Sequence, residues 1–182
     1  MVFSTPGTGL AVSADSSNPT STPVRFGDLN AAYPADTQTF SAERLFTALG
    51  NNTVQVDFFV PGTNTPTSVL GFGAVFTDVE LAGLTKFTVF YANGVNGGQF
   101  AVPTGPSGGL SFLGLTDPAN RYSRIVIQSG TAVLGANEVL TNNQDLVFMD
   151  DFIYGEPLGV PEPTTLASLA AGTAITLRRR RA

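Results

Sequence analysis

The chain has 182 residues, contains no cysteine, histidine or tryptophan, and carries a formal net charge of −5. Its composition excludes disulfides, thiolate or histidine metal sites, and catalysis by Ser-His-Asp or Cys-His arrangements. The negative charge is concentrated in residues 1–160, where five basic residues face 13 acidic ones and the net charge is −8. An acidic body argues against nucleic acid as a partner, and it suits cations or neutral sugars.

The remaining composition is typical of a secreted, turn-rich protein. Charged residues make up 13% of the chain, whereas Gly (20), Phe (14) and Pro (12) are frequent. Apart from its C-terminal tail, the chain has room for one domain of roughly 150 residues, which is large enough to bury a core. We therefore predict one all-β domain over residues 1–157.

The N-terminal part shows only weak strand signals. Residues 3–30 are rich in Thr, Ser, Pro and Gly, a composition that favours loops and short edge strands. Residues 10–14 and 23–26 are predicted to be extended, and residues 33–36 to form a turn. Residues 40–49 fit either one helical turn or a strand, because the helix-start signal there is too brief to choose.

A clear period-two pattern begins after Thr53. Apolar side chains at every second position predict a strand with one buried face, which Pro61-Gly62 ends. These side chains are Val54, Val56, Phe58 and Val60.

Residues 69–79 form a longer run of β-branched and aromatic residues, which predicts a second strand. The run contains Gly71-Phe72-Gly73. Phe76 occupies the position where a dinucleotide-binding fingerprint has its third glycine, and no helix pattern follows. We therefore interpret these glycines as sites of close backbone packing or of a bulge, and not as a phosphate-binding loop.

The strongest local signal predicts a β-hairpin. Residues 86–92 and 99–102 flank Asn93-Gly94 and Asn96-Gly97, which are residue pairs preferred in tight hairpin turns. Three more strands are predicted at residues 110–115, 122–128 and 146–154. Strands at this spacing, separated by turn residues, predict a two-sheet antiparallel β-sandwich of jelly-roll type.

Two neighbouring carboxylates, Asp150 and Asp151, interrupt the last predicted strand. Adjacent residues of a regular strand point to opposite faces, so these side chains are not expected to share one site. At least one of them is expected to be half-buried and to need a partner. The alternatives are a metal ion, an arginine such as Arg121 or Arg124, or backbone N–H groups.

Residues 148–153, Phe-Met-Asp-Asp-Phe-Ile, resemble the closing strand of carbohydrate-binding jelly rolls, in which an Asp-Asp-Val-like motif often supplies a ligand to a structural Ca²⁺. The resemblance implies a Ca²⁺ site with Asp150 as a ligand, for which Asp78 is our candidate companion ligand. A structural ion pair or a hydrogen-bonded carboxylate is the alternative interpretation of Asp150.

The C-terminal tail combines three unlike features. A proline-rich break is followed by an apolar run at residues 164–177 and by an arginine block. The run of about 14 residues spans roughly 21 Å as a helix, which is short against the roughly 30 Å of a hydrocarbon core. Arginine stems can extend its reach, and their charges would hold this end on the cytoplasmic side. An amphipathic helix or a flexible basic tail is the alternative.

In this order, the features resemble the PEP-CTERM sorting signal of Gram-negative bacteria that produce extracellular polysaccharide, also labelled an ice-binding-protein C-terminal motif. The resemblance implies export, transient anchoring in the inner membrane, and cleavage near the Pro-Glu-Pro by an exosortase-type enzyme. Residues 158–163 would be the linker, and residues 164–182 a short hydrophobic helix that acts as the anchor. The matching residues are Val160, Pro161, Glu162, Pro163, Arg178, Arg179, Arg180 and Arg181.

Export also requires an N-terminal signal peptide with a basic region and an apolar region. Residues 1–7 offer neither. We therefore expect Met1 to be a mis-assigned or truncated start, in which case the first strand or two of the fold would lie upstream.

For function, the sequence predicts a non-catalytic protein. A pair of carboxylates could in principle hydrolyse glycosides, but the spacing of Asp and Glu residues in the sequence does not identify such a pair. One interpretation is a module that holds extracellular polysaccharide by stacking sugars on Phe59, Phe90 and Tyr91. The other is a structural or adhesive matrix protein with no specific ligand.

Overall fold

The computed structural model describes residues 1–14, 24–41 and 44–157. Ten strands form two antiparallel sheets of five strands each. Sheet I contains, in spatial order, β1 (Val2–Ser4), β4 (Thr53–Asp57), β9 (Tyr122–Gln128), β6 (Lys86–Tyr91) and β7 (Asn96–Ala101). Sheet II contains β2 (Gly9–Val12), β3 (Phe46–Leu49), β10 (Phe148–Tyr154), β5 (Gly71–Thr77) and β8 (Leu110–Thr116).

The strand order is that of a jelly roll with one additional strand in each sheet. The order β3-β10-β5-β8 in sheet II faces β4-β9-β6-β7 in sheet I, and β1 and β2 extend one edge of each sheet. The predicted two-sheet antiparallel sandwich is therefore confirmed. The predicted C-terminal helix lies outside the described residues.

The main core lies between the sheets, where inward-facing side chains of both interdigitate. Val54, Val56 and Phe58 are fully buried, as their alternation predicted. Phe87 of sheet I packs against Phe72 of sheet II, with ring centroids 5.4 Å apart. Burial of each such side chain stabilises the fold by about 1.5–3 kcal/mol.

A second, smaller core covers the end of sheet II where β10 begins. Phe148 stacks on Phe26 with ring centroids 5.4 Å apart, and Tyr33 meets it edge-on at 5.5 Å. Tyr33 belongs to the short helix α1 (Tyr33–Asp36), and its hydroxyl donates a hydrogen bond to the Ala136 carbonyl oxygen at 2.5 Å. This core therefore fixes the loop that precedes β10 against α1.

Packing in the second core explains one wrong prediction. The extended segment predicted at residues 23–26 is wrong from Arg25 onward: Val24 forms a single β-bridge with Ala14, but a turn begins at Arg25, and both Arg25 and Phe26 have positive φ (48° and 61°). The Phe26 side chain is fully buried in the second core, so tertiary packing overrides the local preference for extended backbone. The ambiguous residues 40–49 form a strand from Phe46 onward.

Three glycines in two stretches of the chain lie in close contact with their neighbours. The predicted hairpin is confirmed as β6 and β7, but its second strand begins at Asn96, three residues earlier than predicted. A Cβ on Gly97 would lie 2.5 Å from the Tyr91 ring. On the neighbouring strand β8, a Cβ on Gly73 would lie 3.1 Å from the Leu113 carbonyl oxygen, and a Cβ on Gly71 would lie 3.0 Å from the Leu115 carbonyl oxygen. The prediction of close backbone packing at these two glycines is therefore confirmed.

The predicted sorting signal at residues 160–163 and 178–181 lies outside the described residues. Across residues 1–14, 24–41 and 44–157, no helix has the length and apolar composition needed to cross a membrane.

Candidate functional site

The paired carboxylates of β10 lie at an irregular point of the strand. The pairing of β10 with β5 shifts register between Met149 and Phe152. Asp150 Oδ2 accepts hydrogen bonds from the backbone N–H groups of Phe40 (2.6 Å) and Ser41 (3.4 Å), and the Ser41 hydroxyl donates to Asp151 Oδ1 at 2.7 Å. The expectation of separate sites was wrong, because a β-bulge breaks the strict alternation of faces.

The partner of the buried Asp150 is therefore the backbone of residues 40–41. Burial raises the pKa of Asp150, the two backbone N–H groups lower it, and the neighbouring Asp151 raises it again. The two arginines considered as partners bind elsewhere. Arg124 pairs with Asp57, and Arg121 donates to the carbonyl oxygens of Ser68 and Glu156.

Asp78, the other predicted ligand, follows the end of β5 and is almost completely buried. It adopts a positive φ of 69°, which is uncommon for a residue with a side chain. Its backbone N–H donates to the Gly109 carbonyl oxygen at 2.9 Å, and its Oδ1 accepts the N–H of Gly108 at 2.7 Å. These bonds orient the carboxylate of Asp78 and fix the loop that leads into β8.

Asp78 belongs to a cluster of carboxylates that does not include Asp150. One carboxylate oxygen from each of Asp78, Glu80 and Glu138 lies within 4.8 Å of the others. Asp145, which is fully buried, lies beside them, since its Oδ2 accepts the backbone N–H of Leu81 at 3.2 Å. We call Asp78, Glu80, Glu138 and Asp145 the acidic cluster.

Burial and neighbouring carboxylates raise the pKa values of Asp78, Glu138 and Asp145. Burial, followed by contacts with Glu80 and Asp78, raises the pKa of Glu138 to about 9. Burial and the charges of Asp78 and Glu80 raise the pKa of Asp145 to about 6, against two backbone hydrogen bonds that lower it. Ionisation of Glu138 at neutral pH is therefore unfavourable without a compensating cation.

Three carboxylate oxygens of the acidic cluster are buried, and within the described part of the chain none of them accepts a hydrogen bond. They are Glu80 Oε2, Glu138 Oε1 and Asp145 Oδ1. A cleft of about 270 Å³ lies next to them, lined by Tyr33, Asp36, Asp78, Asn137 and Glu138 among others. The cleft gives a small ion access to the cluster.

A second candidate site, which we call the outer-face groove, lies on the solvent side of sheet I. In the strand register, Arg124 of β9 lies between Asp57 of β4 and Phe90 of β6. Arg124 Nε and Asp57 Oδ1 form an ion pair at 2.7 Å. With Phe59 and Ser123, these residues line a groove of about 440 Å³.

The outer-face groove brings together two of the three aromatic side chains predicted to bind sugar. Phe59 and Phe90 both line it and are half-buried. Tyr91, the third, stacks on Tyr122 at a centroid distance of 6.1 Å and faces a different depression. The difference is one of side-chain direction, because Tyr91 packs against the main core beside Phe87 and Val89, whereas Phe90 lines the groove.

The fold and the two sites define a small all-β jelly-roll sandwich with an aromatic groove on one face and buried carboxylates at one end. No protein-family model matches the chain, and neither the curated proteins nor the solved structures show a significant similarity to it.

Proposed function

We propose that the chain is an exported, non-catalytic surface or extracellular-matrix protein, transiently anchored in the inner membrane, whose body binds extracellular polysaccharide through the outer-face groove. The observation that carries the binding proposal is the row Asp57, Arg124 and Phe90 across three adjacent strands, with Phe59 beside it. The export proposal is supported by the motif at residues 160–181.

The outer-face groove offers both elements of sugar recognition. Aromatic rings provide flat apolar surface for the C–H face of a sugar ring. The carboxylate of Asp57, the guanidinium of Arg124 and the hydroxyl of Ser123 provide acceptors and donors for sugar hydroxyls. Its volume of about 440 Å³ falls within the usual range of ligand pockets, about 300–1,000 Å³.

The charge of the body favours neutral glycans. Residues 1–160 carry a net charge of −8, which repels strongly anionic polymers. The absence of histidine and cysteine from the sequence leaves no residue for the usual triads, which supports a binding role rather than a hydrolytic one.

The proposal is tested by measuring binding of the purified full chain to a glycan array and to the polysaccharide of the producing cell. We expect saturable binding that Phe90→Ala weakens about tenfold, which corresponds to about 1.4 kcal/mol. The matched control is Phe112→Ala, because Phe112 is an exposed phenylalanine on the other sheet. Equal loss of binding in both variants would contradict the outer-face groove as the site.

The second candidate function is a structural or adhesive matrix protein. It is favoured by an apolar patch on the solvent side of sheet II, where Leu70, Phe112, Ile153 and Tyr154 are all exposed. Patches of this kind mark surfaces that contact other molecules. This second function would be favoured if the chain binds no glycan on the array and self-associates with increasing concentration. Ile153→Ser should weaken that self-association.

A further inference from the structure

The acidic cluster has the donor set of a cation site. Three carboxylates, from Asp78, Glu80 and Glu138, converge within 4.8 Å of one another. They come from two segments that are far apart in sequence, the turn after β5 and the loop before β10. Such convergence of like charges is unfavourable by itself, because each carboxylate raises the free energy of ionising the next one.

An independent feature points to a ligand in the same place. Asp145 is fully buried, yet its Oδ1 accepts no hydrogen bond from the described residues. Its other oxygen accepts the Leu81 N–H at 3.2 Å, which holds the carboxylate beside Glu80. A buried carboxylate oxygen without a donor is costly, so a compensating positive charge is expected nearby.

We propose that Asp78, Glu80 and Glu138 together bind one divalent cation of the Ca²⁺ type. The neighbouring buried carboxylate of Asp145 adds negative charge beside the ion. The adjacent cleft of about 270 Å³, lined by Asp36 and Tyr33, is the entry path. This site replaces the Asp150–Asp78 pair suggested by sequence resemblance, because Asp150 is bound by the backbone of residues 40–41.

The chemistry of the donors selects the cation. All side-chain donors are hard carboxylate oxygens, which suit Ca²⁺, Mg²⁺ or Mn²⁺ and not the nitrogen- and sulfur-preferring transition metals. Ca²⁺ accepts irregular oxygen shells at about 2.3–2.6 Å, whereas Mg²⁺ demands near-ideal octahedral geometry. A site assembled from loops of different length therefore fits Ca²⁺ better.

The bound ion would act as a structural cross-link. Asp78 is tied to the loop before β8 through Gly108, and Glu138 belongs to the loop held by Tyr33. One ion would therefore connect three loops at the same end of the sandwich. In a chain without cysteine, this connection takes the place of a disulfide.

The test uses the full chain, stripped of metal with EDTA and dialysed. Calorimetry and thermal unfolding are followed as Ca²⁺ is added to about 10 mM, which exceeds the weakest dissociation constants of extracellular Ca²⁺ modules, about 10⁻³ M. We expect one saturable site and a Tm that rises with Ca²⁺ concentration. Absence of saturable binding, or an equal response to Mg²⁺, would overturn the proposal.

Variants locate the site. Glu138→Gln and Glu80→Gln should each weaken Ca²⁺ binding at least about tenfold, as expected for loss of about 1.4 kcal/mol or more. Both replace a crowded carboxylate by a neutral group of the same shape and should fold. Asp150→Asn is the matched control and should retain Ca²⁺ binding. Loss of binding in Asp150→Asn, with retention in Glu138→Gln, would overturn the proposed ligands.

A spectroscopic measurement locates the ion without changing a charge. The chain has no tryptophan, so Tb³⁺ emission excited at the long-wavelength edge of tyrosine absorption, where phenylalanine does not absorb, must come from tyrosine, and Tyr33 lines the cleft beside the cluster. We expect sensitised Tb³⁺ emission that Ca²⁺ displaces and that Tyr33→Phe reduces. Emission that survives in Tyr33→Phe but is lost in Tyr122→Phe would place the ion elsewhere and overturn the proposal.

Discussion

Glu138 is a half-buried carboxylate whose shifted pKa makes the stability of the protein depend on pH. Its folded pKa is raised from 4.5 to about 9 by burial and by its carboxylate neighbours. The folded state therefore binds this proton more tightly than the unfolded state. The resulting stability is fully present below pH 4.5 and is lost as pH rises toward about 9.

We therefore predict that the metal-free protein melts at a lower temperature at pH 8 than at pH 5, as measured by circular dichroism in EDTA. Glu138→Gln should flatten this dependence, because the neutral amide has no proton to lose. For a chain of this length, each kcal/mol corresponds to about 2–4 °C in Tm. Saturating Ca²⁺ should remove the loss, since the cation competes with the proton for the same oxygens.

The control for this prediction is Asp117→Asn. Backbone hydrogen bonds from Asn120 and Ala119 lower the pKa of this exposed aspartate, so its contribution is lost only as pH falls into the acid range. The variant should keep the decline between pH 5 and pH 8. A metal-free Tm that rises over this interval in the unsubstituted protein would contradict the assigned protonation of Glu138.

Single residues also show where prediction from sequence ends. That Asp150 needs a partner could be predicted, because a carboxylate within an apolar strand must be compensated. Glu80 and Glu138 could not be predicted, since nothing local marks them and 58 positions of chain separate them. Their meeting depends on which strands become neighbours, and this information is not contained in the local pattern.

At the scale of elements, the start of the loop between β9 and β10 positions the Asp145 end of the acidic cluster. Gly130 has a positive φ of 62°, and a Cβ on it would lie 2.2 Å from the Asp145 carbonyl oxygen. That same oxygen accepts the N–H groups of Thr131 and Ala132. A side chain at Gly130 would therefore displace the backbone that carries Asp145.

We predict that Gly130→Ala destabilises the protein by more than about 2 kcal/mol, because left-handed strain and a backbone clash add together. Gly62→Ala is the matched control. Gly62 has a similar φ of 74° but no atom within 4 Å of its added Cβ, so only the strain of about 1–2 kcal/mol applies. Urea unfolding measures both, and equal losses would refute the clash.

Strands were easier to predict than turns for a physical reason. In β4, alternation of apolar side chains reflects burial of one face, and Val54 and Val56 are fully buried. The bulge at Asp150 and Asp151 leaves no such signal, because both faces of β10 carry apolar residues there. The extended conformation predicted for Arg25 and Phe26 was wrong because the buried Phe26 side chain requires a turn that local composition does not indicate.

At the scale of the whole molecule, composition and strand spacing were sufficient for the sandwich but not for its sites. Ten strands can be arranged in many ways, and the observed arrangement places β3-β10-β5-β8 opposite β4-β9-β6-β7. It brings the end of β5 to the start of β10, where the acidic cluster forms. It also places Asp57, Arg124 and Phe90 on three neighbouring strands.

The charge of the whole chain is divided between an acidic body and a basic end, and this division leads to the last prediction. The apolar run at residues 164–177 is shorter than a hydrocarbon core, and in the proposed anchor the four arginines at residues 178–181 would hold it at the membrane surface. If the tail is a temporary anchor, mass spectrometry of the exported product should find a C-terminus near residues 160–163.

Replacing the four arginines by glutamine should reduce membrane retention of the precursor, whereas Glu162→Gln should leave retention intact and slow cleavage. An exported product that retains all four arginines would contradict processing at this site.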